Sequence, residues 1–308
     1  MQILVTGGAG FIGSNFVHYL LNQHEDDEVI TLDALTYAGS KDNLDGVLND
    51  PRHEFVEGDI RDRELVSDLA DDVDTIVNFA AESHVDRSID GGKPFVSTNV
   101  QGTQTLLDAA TEGDIDRFLQ ISTDEVYGQI LDGKFSEEDL LNPRNPYAAT
   151  KAGADLLAQS FQTTHNLPVV ITRTCNNFGP RQHPEKLIPK FIQNAADGMT
   201  LPVYGDGSNV REWIYVKDNC RALDVVLREG TVGEIYNIGS NTEKTNLEVT
   251  EAILNAVGAS EDLIEFVEDR AGHDQRYALE TKKVEALGWE PQYTFEDGLR
   301  RTIDYYLN

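Results

Sequence analysis

Residues 1–23 read MQILVTGGAGFIGSNFVHYLLNQ, and the spacing of three glycines in that stretch decides the fold. Residues 2–6 are a short apolar run of strand length, and the residues after Gly13 turn to helical periodicity. Gly7, Gly10 and Gly13 lie between the two as G-x-x-G-x-x-G. Gly7 permits a tight turn, and Gly13 lets the helix pack close to the strand. The residues beyond repeat the alternation. DEVITLD ends a second strand at Asp33 and HEFVEGD a third at Asp59, while DTIVNFAA and RFLQIST supply a fourth and a fifth. Helices are expected over 61–70 and 99–112, then a helix over NPYAATKAGADLLAQSF and a sixth strand at LPVVITR.

Strand and helix in repeated alternation predict an α/β fold with a Rossmann-like, doubly wound parallel sheet. From residue 175 the pattern changes. Gly- and Pro-bearing loops run over 175–235, and helices are expected at 247–257 and 295–307. We expect a nucleotide-binding lobe over 1–174 and a smaller, mainly substrate-binding lobe over 175–308. The chain is expected to return to the first lobe within 209–240, near EIYNIGS.

The glycine turn implies a ligand. Gly10 lets a pyrophosphate approach the backbone, and the helix that follows points free N–H groups and a partial positive charge at it. Asp33, twenty residues past Gly13 at a strand end, would accept hydrogen bonds from ribose hydroxyls and repel a 2′-phosphate. The cofactor expected is therefore NAD rather than NADP.

Bulk properties narrow the class. The chain has 308 residues, 40% of them hydrophobic, enough for one large α/β unit or two joined lobes. No apolar run approaches the ~20 residues of a membrane span, and the first residues lack a signal peptide's basic region. A cytoplasmic protein is expected. Acids outnumber bases 54 to 25, for a net charge of −29, which disfavours nucleic-acid binding. The acids are spread along the chain, in HEDDE, DLADDVD and SEEDLL, as a solvated acidic surface. That points to a halophilic protein of a high-salt cytoplasm, as in haloarchaea; an ordinary acidic protein is the alternative. Cys175 and Cys220 make neither a disulfide framework nor a zinc set, and no metal is expected.

Tyr147 and Lys151 are four residues apart on an expected helix and so share a face. A nearby ammonium favours phenolate, and a tyrosine so tuned can take a hydroxyl proton while hydride leaves the same carbon. Thr123, at a strand end upstream, supplies a hydroxyl for the reacting oxygen. Together these mark the short-chain dehydrogenase/reductase architecture.

Here the chain resembles a family closely. GGAGFIG, AAESHVDRSI, STDEVYG, YAATKAGAD, NNFGPRQHPEKLIP, VYGDGSNVREWIYV and DRAGHDQRYAL together resemble the dTDP-glucose 4,6-dehydratases, extended short-chain dehydrogenases, from residue 1 to about 305. The most diagnostic element is the Asp124–Glu125 pair after Thr123, which related epimerases lack. The resemblance implies oxidation of a hexose at C4 by Tyr147 and NAD. Glu125 would then remove the C5 proton, Asp124 would protonate the departing 6-hydroxyl, and C6 would be reduced. The product is a 4-keto-6-deoxy sugar for deoxysugar or rhamnose synthesis. Opposite protonation states of the two acids would follow from burial and like-charge proximity.

The resemblance also implies contacts. On the cofactor side they are Phe11 and Ile12, Leu35 and Thr36, Asp59 and Ile60, Ala80, Ala81, Glu82, Ser83 and His84, Thr98 and Asn177. His84, a base in a blank reading, is given a packing or hydrogen-bonding role and also faces substrate with Thr123. Asn176, Lys186, Leu187, Arg211, Asn246, Arg270 and His273 would hold the nucleotide diphosphate, and Pro202, Val203 and Tyr204 would face its base. A homodimer is implied likewise. The sequence departs from the family in a shorter segment before NPYAATK, in Thr174–Cys175, and in YAATK for YSASK. Thymine and uracil differ by one methyl, a modest discriminator. A UDP-sugar 4,6-dehydratase, a nucleotide-sugar 4-epimerase and a non-catalytic NAD-binding regulator stay open as alternatives.

Overall fold

The computed structural model describes residues 1–269 and 272–307. Seven strands form the main sheet: β1 (Gln2–Thr6), β2 (Glu28–Asp33), β3 (His53–Glu57), β4 (Thr75–Asn78), β5 (Arg117–Thr123), β6 (Val169–Thr174) and β10 (Ile235–Ile238). Their order is β10-β6-β5-β4-β1-β2-β3, and every pairing is parallel. The order reverses between β1 and β4, which opens the crevice where ligands bind in such sheets. Strands β3 and β4 stop short of the sequence estimate, at Glu57 and Asn78, so Asp59 and Ala80 sit on loops beyond the sheet.

Alternation along each strand feeds two cores. Ile3 and Val5 pack on one face with Phe16, Val17 and Leu20 of α1 (Phe11–Gln23), while Leu4 packs on the other. The second face is covered by α2 (Arg63–Ala70), α5 (Thr103–Glu112) and α6 (Pro146–His165). Between α2 and α5 lie α3 (Val85–Asp90), α4 (Lys93–Phe95) and a π-helical stretch, Val96–Gly102. The π turn, not an α-helix from 99, leads into α5.

The later chain builds a smaller lobe. β7 (Asn176–Phe178), β9 (Val210–Tyr215) and β11 (Glu243–Thr245) form one sheet, and β8 (Leu201–Tyr204) pairs with β12 (Ile264–Val267). Helices α7 (Leu187–Ala196), α9 (Asn246–Val257) and α11 (Phe295–Leu307) cover them, and α10 (Lys282–Glu285) packs near β10. Helix α8 (Val216–Glu229) instead packs on α1. Phe178, Ile188, Phe191 and Trp213 belong to the same apolar cluster as Ile3 and Phe16, so the two lobes share one core. Among the described residues no helix is long and apolar enough to cross a membrane.

Candidate active site

A cavity of about 600 Å³ runs from the β1 glycine turn, past the C-terminal ends of β4 and β5, to β8 and α9. At its first end Gly7 has φ +67, and a Cβ there would lie 2.7 Å from the Ala80 backbone nitrogen. A Cβ on Gly13 would lie 2.3 Å from the Gly7 carbonyl oxygen, so this glycine is required by packing. Gly10 differs: its Cβ would meet one atom, the Gly7 carbonyl oxygen, at 3.2 Å. Among the described residues no other atom beyond its chain neighbours comes within 4 Å of that position. Helix α1 starts there without a side-chain cap and without an acid in its first turn. Its leading N–H groups thus suit a pyrophosphate, and the residues fit a dinucleotide.

Asp33 closes the same end. Oδ2 accepts from the Ala9 N–H (2.9 Å) and Oδ1 from the Leu35 N–H (2.8 Å). Each oxygen keeps a lone pair for a ribose hydroxyl. Burial pushes this carboxyl up, and the two N–H groups oppose the shift. Phe11, Ile12, Thr36, Ile60, Ala81 and Thr98 line the cavity here. Leu35 does not; it takes φ 47 and contributes its backbone to Asp33. Asp59 lines the wall but is engaged by Arg61, Nε to Oδ1 at 2.9 Å.

The loop after β4 is pinned by a residue that sequence reasoning missed. Asn99 accepts from the Glu82 N–H (2.8 Å) and donates to the Glu82 carbonyl (3.0 Å) and the Thr150 hydroxyl (2.9 Å). Ser83 and His84 follow on that loop. Burial first, then Lys186, lowers the His84 imidazole, and its ring sits 3.5 Å from Glu185. Arg87 also pairs with Glu185, and its guanidinium lies 4.3 Å from the Tyr37 ring centre, which joins α3 to two loops at the mouth.

At mid-cavity β5 runs out at Thr123 into a 3₁₀ turn, Asp124–Tyr127. The Thr123 hydroxyl donates to Asp124 Oδ1 (3.2 Å) and accepts from the Glu125 N–H (3.3 Å). Asp124 is 2% exposed, and its Oδ2 has no hydrogen-bond partner. Burial, then Glu125 and Glu212, push this carboxyl well above the usual range, which favours its protonated form. Glu125 accepts from the Asn145 amide at 3.0 Å.

Tyr147 and Lys151 face the cavity from α6. The Lys151 ammonium donates to the Ile121 carbonyl (2.6 Å), and burial lowers it to about 8. The expected depression of the Tyr147 phenol is not produced by the protein's own groups. Burial is the main cause that pushes it up, and Glu125, Asp124 and Tyr37 add to the shift.

The smaller lobe brings Asn176, Lys186, Leu187, Pro202, Val203, Tyr204, Arg211, Asn246 and His273 to the same cavity. Lys186 donates to the Ser83 carbonyl (3.2 Å), which ties the lobes across the cleft. Arg211 is buried, stacks 4.5 Å from the Tyr277 ring centre and donates to the Asp274 carbonyl (2.9 Å). His273 pairs with Asp269 at 2.6 Å. Arg270 lies outside the described residues. Asn177 donates to the Thr174 hydroxyl and the Cys175 carbonyl, each at 3.0 Å, while its own Oδ1 is buried without a partner. Cys175 lines the wall, and burial pushes its thiol well up, as it does the Cys220 thiol. Tyr37, Glu185 and Tyr277 also line the cavity and were not foreseen. Aromatic residues on loops carry no periodic signal.

A parallel doubly wound sheet, a glycine turn at its crevice and a Thr–Tyr–Lys set across that crevice define an extended short-chain dehydrogenase/reductase. The model of the GDP-mannose 4,6 dehydratase family matches residues 4–302. The low-salt glycan biosynthesis protein Agl12 of Haloferax volcanii is 76% identical over 100% of this chain and 99% of its own. A dTDP-glucose 4,6-dehydratase of Streptomyces niveus is 51% identical, over 99% and 93% of the two chains. The crystal structure of DesIV, a dTDP-glucose 4,6-dehydratase of Streptomyces venezuelae with NAD bound, superposes with a TM-score of 0.98 at 54% identity, over 99% and 97%. The chain belongs to the dTDP-glucose 4,6-dehydratases, hydro-lyases of the short-chain dehydrogenase fold.

Proposed function

We propose that this chain converts dTDP-glucose to dTDP-4-keto-6-deoxyglucose with NAD as its resident cofactor. One observation carries the reading: a buried, unpartnered Asp124 oxygen beside Glu125, in the cavity that Tyr147 and Lys151 face. When bound, NAD takes two electrons from C4 and gives them back at C6, so turnover is redox-neutral. Tyr147 takes the 4-hydroxyl proton, aided by Thr123 on the same oxygen and by the Lys151 charge. With C4 a ketone, C5–H is acidic, and Glu125 removes it. The electron pair forms C5=C6 as the C6–O bond breaks, and Asp124 gives the leaving hydroxyl its proton, so that water departs. Glu125 then returns a proton to C5, and the proton on Tyr147 restores Asp124. Net, one water is lost.

Asn176, Lys186, Leu187, Arg211, Asn246, His273 and Arg270 are assigned to the diphosphate, and Pro202, Val203 and Tyr204 to the base. Phe11, Ile12, Thr36, Asp59, Ile60, Thr98 and Asn177 are assigned to NAD, with Leu35 acting through its backbone. On this reading residues 1–174 are the cofactor lobe and 175–308 mainly the substrate lobe. Exposed Ile89, Val96 and Leu156, on neighbouring helical segments, support a homodimer through that face. The acidic surface and the Haloferax relative support a halophilic, cytoplasmic enzyme of surface-glycan synthesis.

The purified chain, given dTDP-glucose, UDP-glucose and GDP-mannose side by side, should turn over dTDP-glucose fastest. The product should lack one water and carry a keto group. An epimer of unchanged mass would support a 4-epimerase instead. NAD binding with no turnover of any of the three would favour a regulator.

A further inference from the structure

The Glu125 carboxylate meets one side-chain amide, and that amide has a second task. Asn145 Nδ2 donates to Glu125 Oε2 at 3.0 Å, while Asn145 Oδ1 accepts from the Ala148 N–H at 2.8 Å as the N-cap of α6. Only one orientation of the amide satisfies both partners, a carboxylate and an N–H. The segment is docked at further points. The Asn142 N–H donates to the Val126 carbonyl at 3.0 Å, and Arg144 pairs with Asp274 at 2.8 Å. Gly128, at φ +82, makes room for it, since a Cβ there would lie 2.4 Å from the Asn142 carbonyl oxygen.

We propose that Asn145 is a positioning residue for proton abstraction at C5, aiming the Glu125 carboxylate and locking it in register with the helix that carries Tyr147 and Lys151. The inference rests on the reading of Glu125 as the base. Serine or aspartate would cap α6 as well as asparagine does, and threonine somewhat less well. None of them offers an N–H to a carboxylate while its oxygen serves the helix. One Glu125 oxygen is then engaged, and the other is left for the proton. Among the described residues, Asp124 on its own turn, Tyr147 on α6 and Tyr277 on the C-terminal segment interact electrostatically with Glu125, and Arg211 acts on Asp124 and Tyr277 in turn. The Asn145 amide is a neutral donor, so it holds the carboxylate without adding charge.

The test uses Asn145→Ser and Asn145→Asp in the full-length enzyme, which both keep a cap acceptor. The thermal midpoint should stay near the parent's. Exchange of the C5 hydrogen with deuterated water should fall about 10- to 100-fold, the worth of one hydrogen bond to a charged group. Single-turnover oxidation at C4 should change by less than about threefold, within the noise of such couplings. In Asn145→Asp two carboxyl groups share the site, so the acid limb of the pH–rate profile should move to higher pH. Parent-like exchange and pH profile in both variants would overturn the proposal. So would parallel loss of both steps with a lowered midpoint, the mark of a cap alone. Glu125→Gln is assayed beside them. If it exchanges normally, the base assignment fails and the inference with it. If Glu125→Gln loses exchange while both Asn145 variants keep it, only the positioning role fails.

Discussion

Asp155 and Arg173 form an ion pair sealed between α6 and β6, Oδ2 to Nε at 3.0 Å, with side chains 0% and 2% exposed. Asp155 lies one helical turn beyond Lys151, and Arg173 stacks 4.7 Å from the Tyr127 ring centre, whose hydroxyl donates to Asn237 at 2.9 Å. The pair ties the helix facing the cavity to the sheet. Removing one partner strands a buried charge. Asp155→Ala should therefore cost about 3–5 kcal/mol by denaturant titration. Asp155→Leu with Arg173→Met should cost less than either single change. A double variant as damaged as the sum of the singles would contradict this.

The adjacent acids should separate the chemical steps. Asp124→Asn keeps shape and contact but cannot deliver a full proton, so water loss should fall by about 10²-fold or more. Oxidation at C4 and solvent exchange at C5 should persist. Glu125→Gln should abolish that exchange and leave oxidation measurable, and Tyr147→Phe should stop oxidation itself. Deuterium content of recovered sugar, read by mass, checks all three; unchanged exchange in Glu125→Gln would remove that residue from its role.

Lys151 is held down to about 8 against an ordinary 10.5, by burial, with Asp155 opposing. The folded protein therefore releases this proton before the unfolded chain does. Between those two values the unfolded state binds more protons, and this group's contribution to stability rises with pH. At pH 7 the buried ammonium costs on the order of 3 kcal/mol. Lys151→Met should be inactive yet more stable than the parent at pH 7, and the difference should shrink as pH climbs toward 10.5. A gap that does not change with pH would show that the charge is not the cause.

Two glycines in one turn should behave differently. Gly13→Ala places its Cβ 2.3 Å from the Gly7 oxygen and should lower the melting midpoint. Gly10→Ala meets that oxygen at 3.2 Å and should fold with little loss, while calorimetric affinity for NAD drops. Full NAD affinity in folded Gly10→Ala would put the pyrophosphate elsewhere.

A net charge of −29 should make stability depend on salt. Raising KCl from ~0.1 M to ~1 M shrinks the screening length from about 10 Å to about 3 Å and quiets self-repulsion. The unfolding midpoint should rise across that range. A flat salt titration would leave the acids as ordinary surface.

Much of this was legible from short-range pattern. The glycine turn and the α6 face of Tyr147 and Lys151 rest on spacing within a few residues, and the Asp33 strand end and the parallel sheet on the repeated alternation of strand and helix. Other features were not. Asn99 and Asn145 fall within stretches expected as helix and were not singled out, because their partners Glu82 and Glu125 lie seventeen and twenty residues away. The π turn at Val96–Gly102 has no sequence signature of its own and was read in part as α-helix.

The chain by itself determined the order of strands and helices and the chemical groups on offer, since backbone propensity and side-chain spacing act locally. Folding alone decided that Lys186, Arg211 and His273 border the same cavity as Tyr147, and that Asp124 is buried and pushed up by its acidic neighbours while Glu125 is held by an amide. Burial and electrostatic neighbourhood belong to segments distant in sequence, and no single stretch encodes them.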